Sequence, residues 1–216
     1  MSSWRGHLLI GATGGLALVR VLRATGHFPV LPDIPPLGVE TAIIGGSAFL
    51  ALLPDIDEPG SWIGQRVQLM MTLAGIILAL VLAVGLELPL QWIAIYAAVG
   101  MVLGKVAGLL LLKAIRTAAG GHRRLTHSLP LTFVLLLITV ALWSLGYGMW
   151  SLIPLAVAWG QILHVLGDLP TPAGVPLLYP FSQRDFGLPQ PLSSFGEGLA
   201  AISAIAVASI VIWTWV

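Results

Sequence analysis

The 216-residue chain contains no cysteine, so disulfides and thiolate metal sites are both excluded. Charge is almost as scarce. Asp, Glu, Lys and Arg make up 9% of the residues, whereas ordinary soluble domains carry about 25%. Neither sign dominates, and the formal net charge is +1. A nucleic-acid binder would need a concentrated basic surface, so no nucleic-acid partner is expected. The sequence has no internal repeat, no low-complexity tract and no barrel-like alternation of apolar and polar residues. A signal peptide is also unconvincing. Arg20 and Arg23 interrupt the end of the first apolar run and no small-residue cleavage site follows cleanly, so that run reads as a mature helix.

What the chain has in abundance is apolar side chain, at 57% of residues. A soluble protein of this size could not hide so much apolar surface, because folded proteins still expose a large area to water. The solvent of this chain is lipid. Seven apolar segments stand out, at about 7–23, 38–53, 67–86, 91–112, 128–146, 149–168 and 197–216. Several are long enough to cross a hydrocarbon core of roughly 30 Å, which takes about 20 helical residues. Open-ended backbone satisfies its hydrogen bonds in lipid only as helix. The expected fold is all-α: one polytopic transmembrane bundle of about seven helices over 1–216. Pro54 with Asp55 and Asp57, Glu87 with Pro89, Gly120-Gly121, and Pro170 with Pro172 supply the breaks.

Basic residues flanking the spans predict the orientation. Lys113, Arg116, Arg123 and Arg124 cluster between the fourth and fifth segments, which makes that loop cytoplasmic. Counting outward, 54–66 (with Arg66), 169–196 (with Arg184) and the amino terminus (with Arg5) fall on the same side, and the carboxyl terminus on the other. Arg20 and Arg23 are misfits at the outer end of the first helix, from which they could snorkel outward. Lys105 is placed near the inner end of the fourth helix, where it could also snorkel.

The remaining polar residues converge on this map. His7, Asp55, Asp57, His122, His127, His164 and Asp168 all fall on the cytoplasmic side of a topology built from lysines and arginines alone. Only His27, of the five histidines, lies elsewhere. His164 and Asp168 are four residues apart and share one helix face, the spacing at which two side chains chelate one ion. Asp55 and Asp57 are two apart after a proline, and in extended backbone they would project the same way. His122 and His127 would diverge on a helix, so GGHRRLTHSLP reads as a loop, with Ser128 as N-cap and Pro130 in the following first turn. Imidazole and carboxylate without sulfur suit zinc, iron or manganese. Seven candidates exceed the three protein ligands typical of one catalytic zinc, so one or two ions are expected. Singly, each residue has a structural use: a helix-end histidine, a solvated Asp turn, arginines that only set topology. Convergence on one side is what favours a metal site.

HRRLTHSL at 122–129, LPDID at 53–57, His7 near the start, HVLGD at 164–168 and GVPLLYPFS at 174–182 together resemble the YdjM-type inner-membrane metal-dependent hydrolases. The resemblance spans about 7–187. It implies a bacterial-type inner-membrane hydrolase with His and Asp metal ligands. More distantly, the order of His, Asp, His and His-xxx-Asp is similar to zinc-dependent phospholipase C and P1 nuclease. No second His-xxx-Asp/Glu pair follows Asp168, which speaks against a full three-zinc set.

The expected chemistry is metal-dependent hydrolysis of a phosphoester in an amphiphilic or lipid substrate. His7, Asp55, Asp57, His127, His164 and Asp168 are the candidate ligands. His122 is a further ligand or the acid that protonates the leaving group, and Arg123 and Arg124 hold phosphate oxygens. Acyl or peptide hydrolysis at the same metal is the alternative reaction. Metal transport is disfavoured, because transporters usually place ion sites near the midplane. A non-catalytic protein tied together by the cluster remains a third reading. The loop 169–196, with six prolines, could act as an interfacial lid or as a stiff connector. Gly100, Gly104 and Gly108, and likewise Gly11 and Gly15, allow close helix approach, either inside the bundle or in a homo-oligomer.

Overall fold

The computed structural model describes residues 4–29, 34–171 and 173–187. Among these, six helices account for the first six apolar segments: α1 (Trp4–Ala24), α2 (Pro36–Leu50), α3 (Trp62–Gly85), α4 (Leu90–Ala118), α5 (Leu129–Ser144) and α6 (Gly148–Asp168). The seventh expected segment, 197–216, lies outside the described residues. Five stretches are long and apolar enough to cross a membrane, and α5 is a shorter apolar helix. Large side chains such as Met70, Ile77, Leu110, Phe133 and Trp143 face outward. That is the surface expected when lipid is the solvent.

Local chemistry sets the helix ends. Pro36 opens α2, since a proline at the first position forfeits only an N–H that has no helical partner. Ser61 caps α3 by accepting from the Gly64 N–H at 3.0 Å. Ser128 stands at the N-cap of α5 and Pro130 in its first turn, as expected. The Ser128 hydroxyl does not cap the helix, however. It donates back to the Leu125 carbonyl at 2.9 Å, which satisfies an acceptor of the preceding turn instead.

The helices gather into two bodies. In the first, α1 pairs with α2 and α5 with α6, and α6 also packs on α1 and α2. Gly11 and Gly15 of α1 lie against the backbone of Ala48 and Ile44, so small residues on α1 bring the α2 backbone into contact. Arg23 has partners in this body: its Nε donates to Glu40 Oε1 of α2 at 2.7 Å, and its guanidinium lies over the Phe28 ring.

The second body is the hairpin of α3 and α4, residues 55–122. Gly100, Gly104 and Gly108 of α4 meet Gly75, Thr72 and Gln68 of α3, so these faces are already occupied within the chain. Lys105, next to Gly104, does not lie in the last turns of α4. The helix runs on to Ala118, about 20 Å further at 1.5 Å per residue.

Candidate metal centre

The LPDID segment forms a 3-10 turn, Leu53–Asp57, and not extended backbone. The Glu58 N–H donates to the Asp55 carbonyl at 3.1 Å and the Ser61 hydroxyl donates to the same oxygen at 2.7 Å, which winds the chain up. In such a turn residues two apart point in different directions, so the expected parallel projection of Asp55 and Asp57 does not occur. Both carboxylates are nevertheless buried. Asp57, in the second body, engages His122, whose Nδ1 lies 2.7 Å from Asp57 Oδ1.

This pairing raises the His122 pKa. The hydrogen bond that His122 donates to the Asp57 carboxylate is the largest cause, burial opposes it, and the negative charges of Asp57, Glu58 and Asp55 add to the rise. A raised histidine pKa contributes stability that is complete below the unfolded pKa near 6.5 and is lost as pH rises through the folded value. The imidazole NMR titration of His122 should therefore fall above that of a free histidine, and Asp57→Asn should bring it down. A His122 midpoint unmoved by Asp57→Asn would remove the carboxylate as the cause.

Four of the expected ligands meet in the first body. His7 comes from α1, His127 from a short 3-10 turn before α5, and His164 and Asp168 from one face of α6. All four are at most 1% exposed. His127 Nε2 is 2.9 Å from His164 Nε2, and Asp168 Oδ2 is 3.7 Å from the first and 3.6 Å from the second. A triangle with these sides has a circumscribed radius of about 2.0 Å, the length of a zinc–nitrogen or zinc–oxygen bond. The three donor atoms are thus spaced to share one ion.

Tautomers agree with that use. His164 Nδ1 lies 2.7 Å from the Ala51 carbonyl, which can only accept, so Nδ1 carries the proton and Nε2 presents a lone pair. A backbone carbonyl behind a ligating imidazole is the usual outer support of a metal-binding histidine. His127 Nδ1 faces the Thr126 hydroxyl at 2.9 Å. If that nitrogen donates to the hydroxyl, His127 Nε2 offers a second lone pair beside the first. The donor set fits a borderline cation such as zinc.

His7 stacks on His164, with ring centroids 3.8 Å apart and planes 11° from parallel, and its Nε2 lies 3.5 Å from Asp168 Oδ1. It therefore borders both α6 donors.

The arginines occupy distinct places. Arg123 has φ +58°, a left-handed conformation that costs an ordinary residue about 1–2 kcal/mol. In this setting its guanidinium reaches the Asp168 carboxylate. A carboxylate oxygen has more than one lone pair, so this contact leaves Oδ2 able to serve as a donor. Arg124 lies over the Tyr179 ring, 5.7 Å from its centroid. Tyr179 belongs to the segment after α6, where Val175 and Phe186 pair their backbones and the Leu129 N–H donates to the Leu177 carbonyl.

Sequence reading missed Gln161. It is buried in α6 three residues before His164, and its side chain binds the loop that carries His127. The available signal was a polar amide at i, i+3, i+7 spacing with His164 and Asp168 in an otherwise apolar helix.

A family model described as YdjM inner membrane protein matches residues 1–216. The chain belongs to this family. Two curated relatives are similar to it, the inner membrane protein YdjM of Escherichia coli (strain K12) and that of Shigella flexneri. Each is 31% identical over 175 residues, which cover 79% of this chain and 65% of the relative. The chain thus matches less than two thirds of the length of these relatives. No solved structure matches. Family and helices together make the chain an integral membrane protein of an inner-membrane family, with buried His/Asp groups that could hold a metal ion.

Proposed function

We propose that the chain is a membrane-embedded, metal-dependent hydrolase that cleaves a phosphoester in an amphiphilic substrate at the cytoplasmic face. The observation that carries this reading is the bond-length spacing of His127 Nε2, His164 Nε2 and Asp168 Oδ2 at the end of a membrane helix. A divalent ion bound by three protein donors keeps an open position, lowers the pKa of a bound water and polarises a phosphoryl oxygen. Zinc is the ion the donor set favours, with manganese or iron as alternatives.

The protein's own groups would do the rest. Arg124 presents a planar, permanently charged donor array for phosphate oxygens, and Arg123 retains N–H groups beyond the contact to Asp168. Burial of the donors lowers the local dielectric and strengthens each of these interactions. Location in a lipid-solvated chain supports an amphiphilic substrate. The four basic residues Lys113, Arg116, Arg123 and Arg124 support the cytoplasmic side.

The direct test is phosphate release from membrane lipids by zinc-loaded protein. Arg124→Ala should spare metal content and lower turnover by about tenfold or more, the size of a lost charge-assisted hydrogen bond. Arg124→Lys should restore only part, because an ammonium cannot reproduce the two-pronged contact. Full activity in the Lys variant would assign Arg124 to topology alone. Zinc-dependent cleavage of acyl or peptide substrates, with no lipid phosphate released, would replace the phosphoester reading with the acyl or peptide one.

A further inference from the structure

We propose that Gln161 is a positioning residue for the metal centre: its carboxamide clamps the loop on both sides of His127. The inference rests on the metal-centre reading and concerns a residue outside the donor set. Gln161 Nε2 donates to the Thr126 carbonyl at 3.1 Å and to the Ser128 carbonyl at 2.9 Å. These are the two residues that flank His127 in sequence. On the other side of the amide, Oε1 accepts from the Thr132 hydroxyl at 3.0 Å, and the two backbone carbonyls, which can only accept, fix the NH2 end toward the loop. Gln161, Ser128 and Thr132 are all buried, so water does not compete for these bonds.

The loop needs such a clamp. His127 closes a 3-10 turn of only three residues, Leu125–His127, between the left-handed Arg123 and the first turn of α5. A turn this short has few backbone bonds of its own. Here they include His127 N–H to the Arg124 carbonyl and Ser128 N–H to the Leu125 carbonyl, both at 3.2 Å. Gln161 lies one helical turn before His164. The same face of α6 thus supplies both the His164 donor and the brace that brings His127 to it. The two Nε2 atoms meet at 2.9 Å because one helix sets both positions. Metal-ligand partners of this outer kind typically change affinity by about 10–100-fold when removed.

The test is Gln161→Met, which keeps length and apolar volume and removes all three hydrogen bonds, with Gln161→Glu and Thr132→Val beside it. Two readouts are measured on the full chain in detergent. The first is metal affinity by competition with a chelator, together with the visible spectrum of the cobalt(II) form. The second, independent of any metal, is the ring ¹⁵N NMR signal of His127, with His27 as reference. The expected result is a Kd about 10–100-fold higher and an altered cobalt spectrum in Gln161→Met. The His127 resonance should be shifted or broadened while His27 is unchanged. Gln161→Glu keeps the acceptor but loses the amide donors and should behave like Gln161→Met; Thr132→Val leaves the donors in place and should be milder. A merely structural role would lower the melting temperature and leave the cobalt spectrum and the His127 signal as in the wild type. That outcome would overturn the clamp. If wild-type protein binds no cobalt or zinc, the metal-centre reading fails, and the His127 signal alone then decides whether Gln161 holds that ring.

Discussion

Purified wild-type protein should carry at least one divalent transition metal, most readily zinc, and His164→Ala or Asp168→Ala should empty the site. The expected fall in affinity is large because each residue supplies one of three mutually spaced donors. Structural zinc sites hold their ion with roughly 10–16 kcal/mol shared over a handful of ligands, so the loss of one should raise Kd on the order of a hundredfold or more. Removing His164 also deletes the bond to the Ala51 carbonyl and the ring on which His7 stacks. His164→Ala should therefore be the more damaging of the two. His27, exposed beyond the end of α1, provides the control, and His27→Ala should match the wild type. Metal analysis after exhaustive dialysis reads the result directly. Undiminished metal in the His164/Asp168 double variant would take that pair out of the site.

The second large effect is expected at a residue with no polar atom to offer. Gly160 lies one turn before His164 on α6, where α2 ends. A Cβ at this position would sit 2.5 Å from the Leu50 Cβ and 2.6 Å from the Leu50 carbonyl carbon and oxygen. Backbone cannot yield as a flexible side chain can, so Gly160→Val must push the end of α2 outward. Ala51, the next residue, would then move its carbonyl away from His164 Nδ1. Overpacking of this kind costs about 1–3 kcal/mol or more. Release of the imidazole from its outer support should in addition weaken metal binding about 10–100-fold. Melting temperature and metal affinity should fall together in Gly160→Val, and less in Gly160→Ala. A Gly160→Val protein that melts and binds metal like the wild type would show that α2 and α6 do not approach as described.

Much of this was legible in the sequence because lipid imposes simple rules. Polar residues are costly in an apolar span, so the few that α1 and α6 retain stand out, and His7, His164 and Asp168 are indeed brought together. The i,i+4 spacing of the α6 pair needs only helix geometry. His127 could be named as a candidate but not oriented, since its direction depends on a left-handed Arg123 and a three-residue turn that no periodicity encodes. At Asp55 and Asp57 the local backbone is not encoded by spacing. Spacing alone cannot distinguish extended chain from a 3-10 turn, and the hydroxyl of Ser61, six residues on, decides for the turn. The hydrogen bond between Asp57 and His122, 65 residues apart, is tertiary and left no local mark. Gln161 does not stand out in the sequence because an amide is neither a metal donor of the usual kind nor a charge.

The stacking of His7 on His164 also has a consequence in time. His7 is on the first described helix to leave the ribosome, while His164 and Asp168 are on the sixth, with all of α2 to α5 made in between. No product of synthesis that stops short of Asp168 contains the whole cluster. The early imidazole must enter the membrane as an isolated polar group and wait for its partners. Any capture of an ion by this set would therefore have to follow synthesis of α6, and a nascent protein stalled before that helix would lack two of the three closely spaced donors, His164 and Asp168.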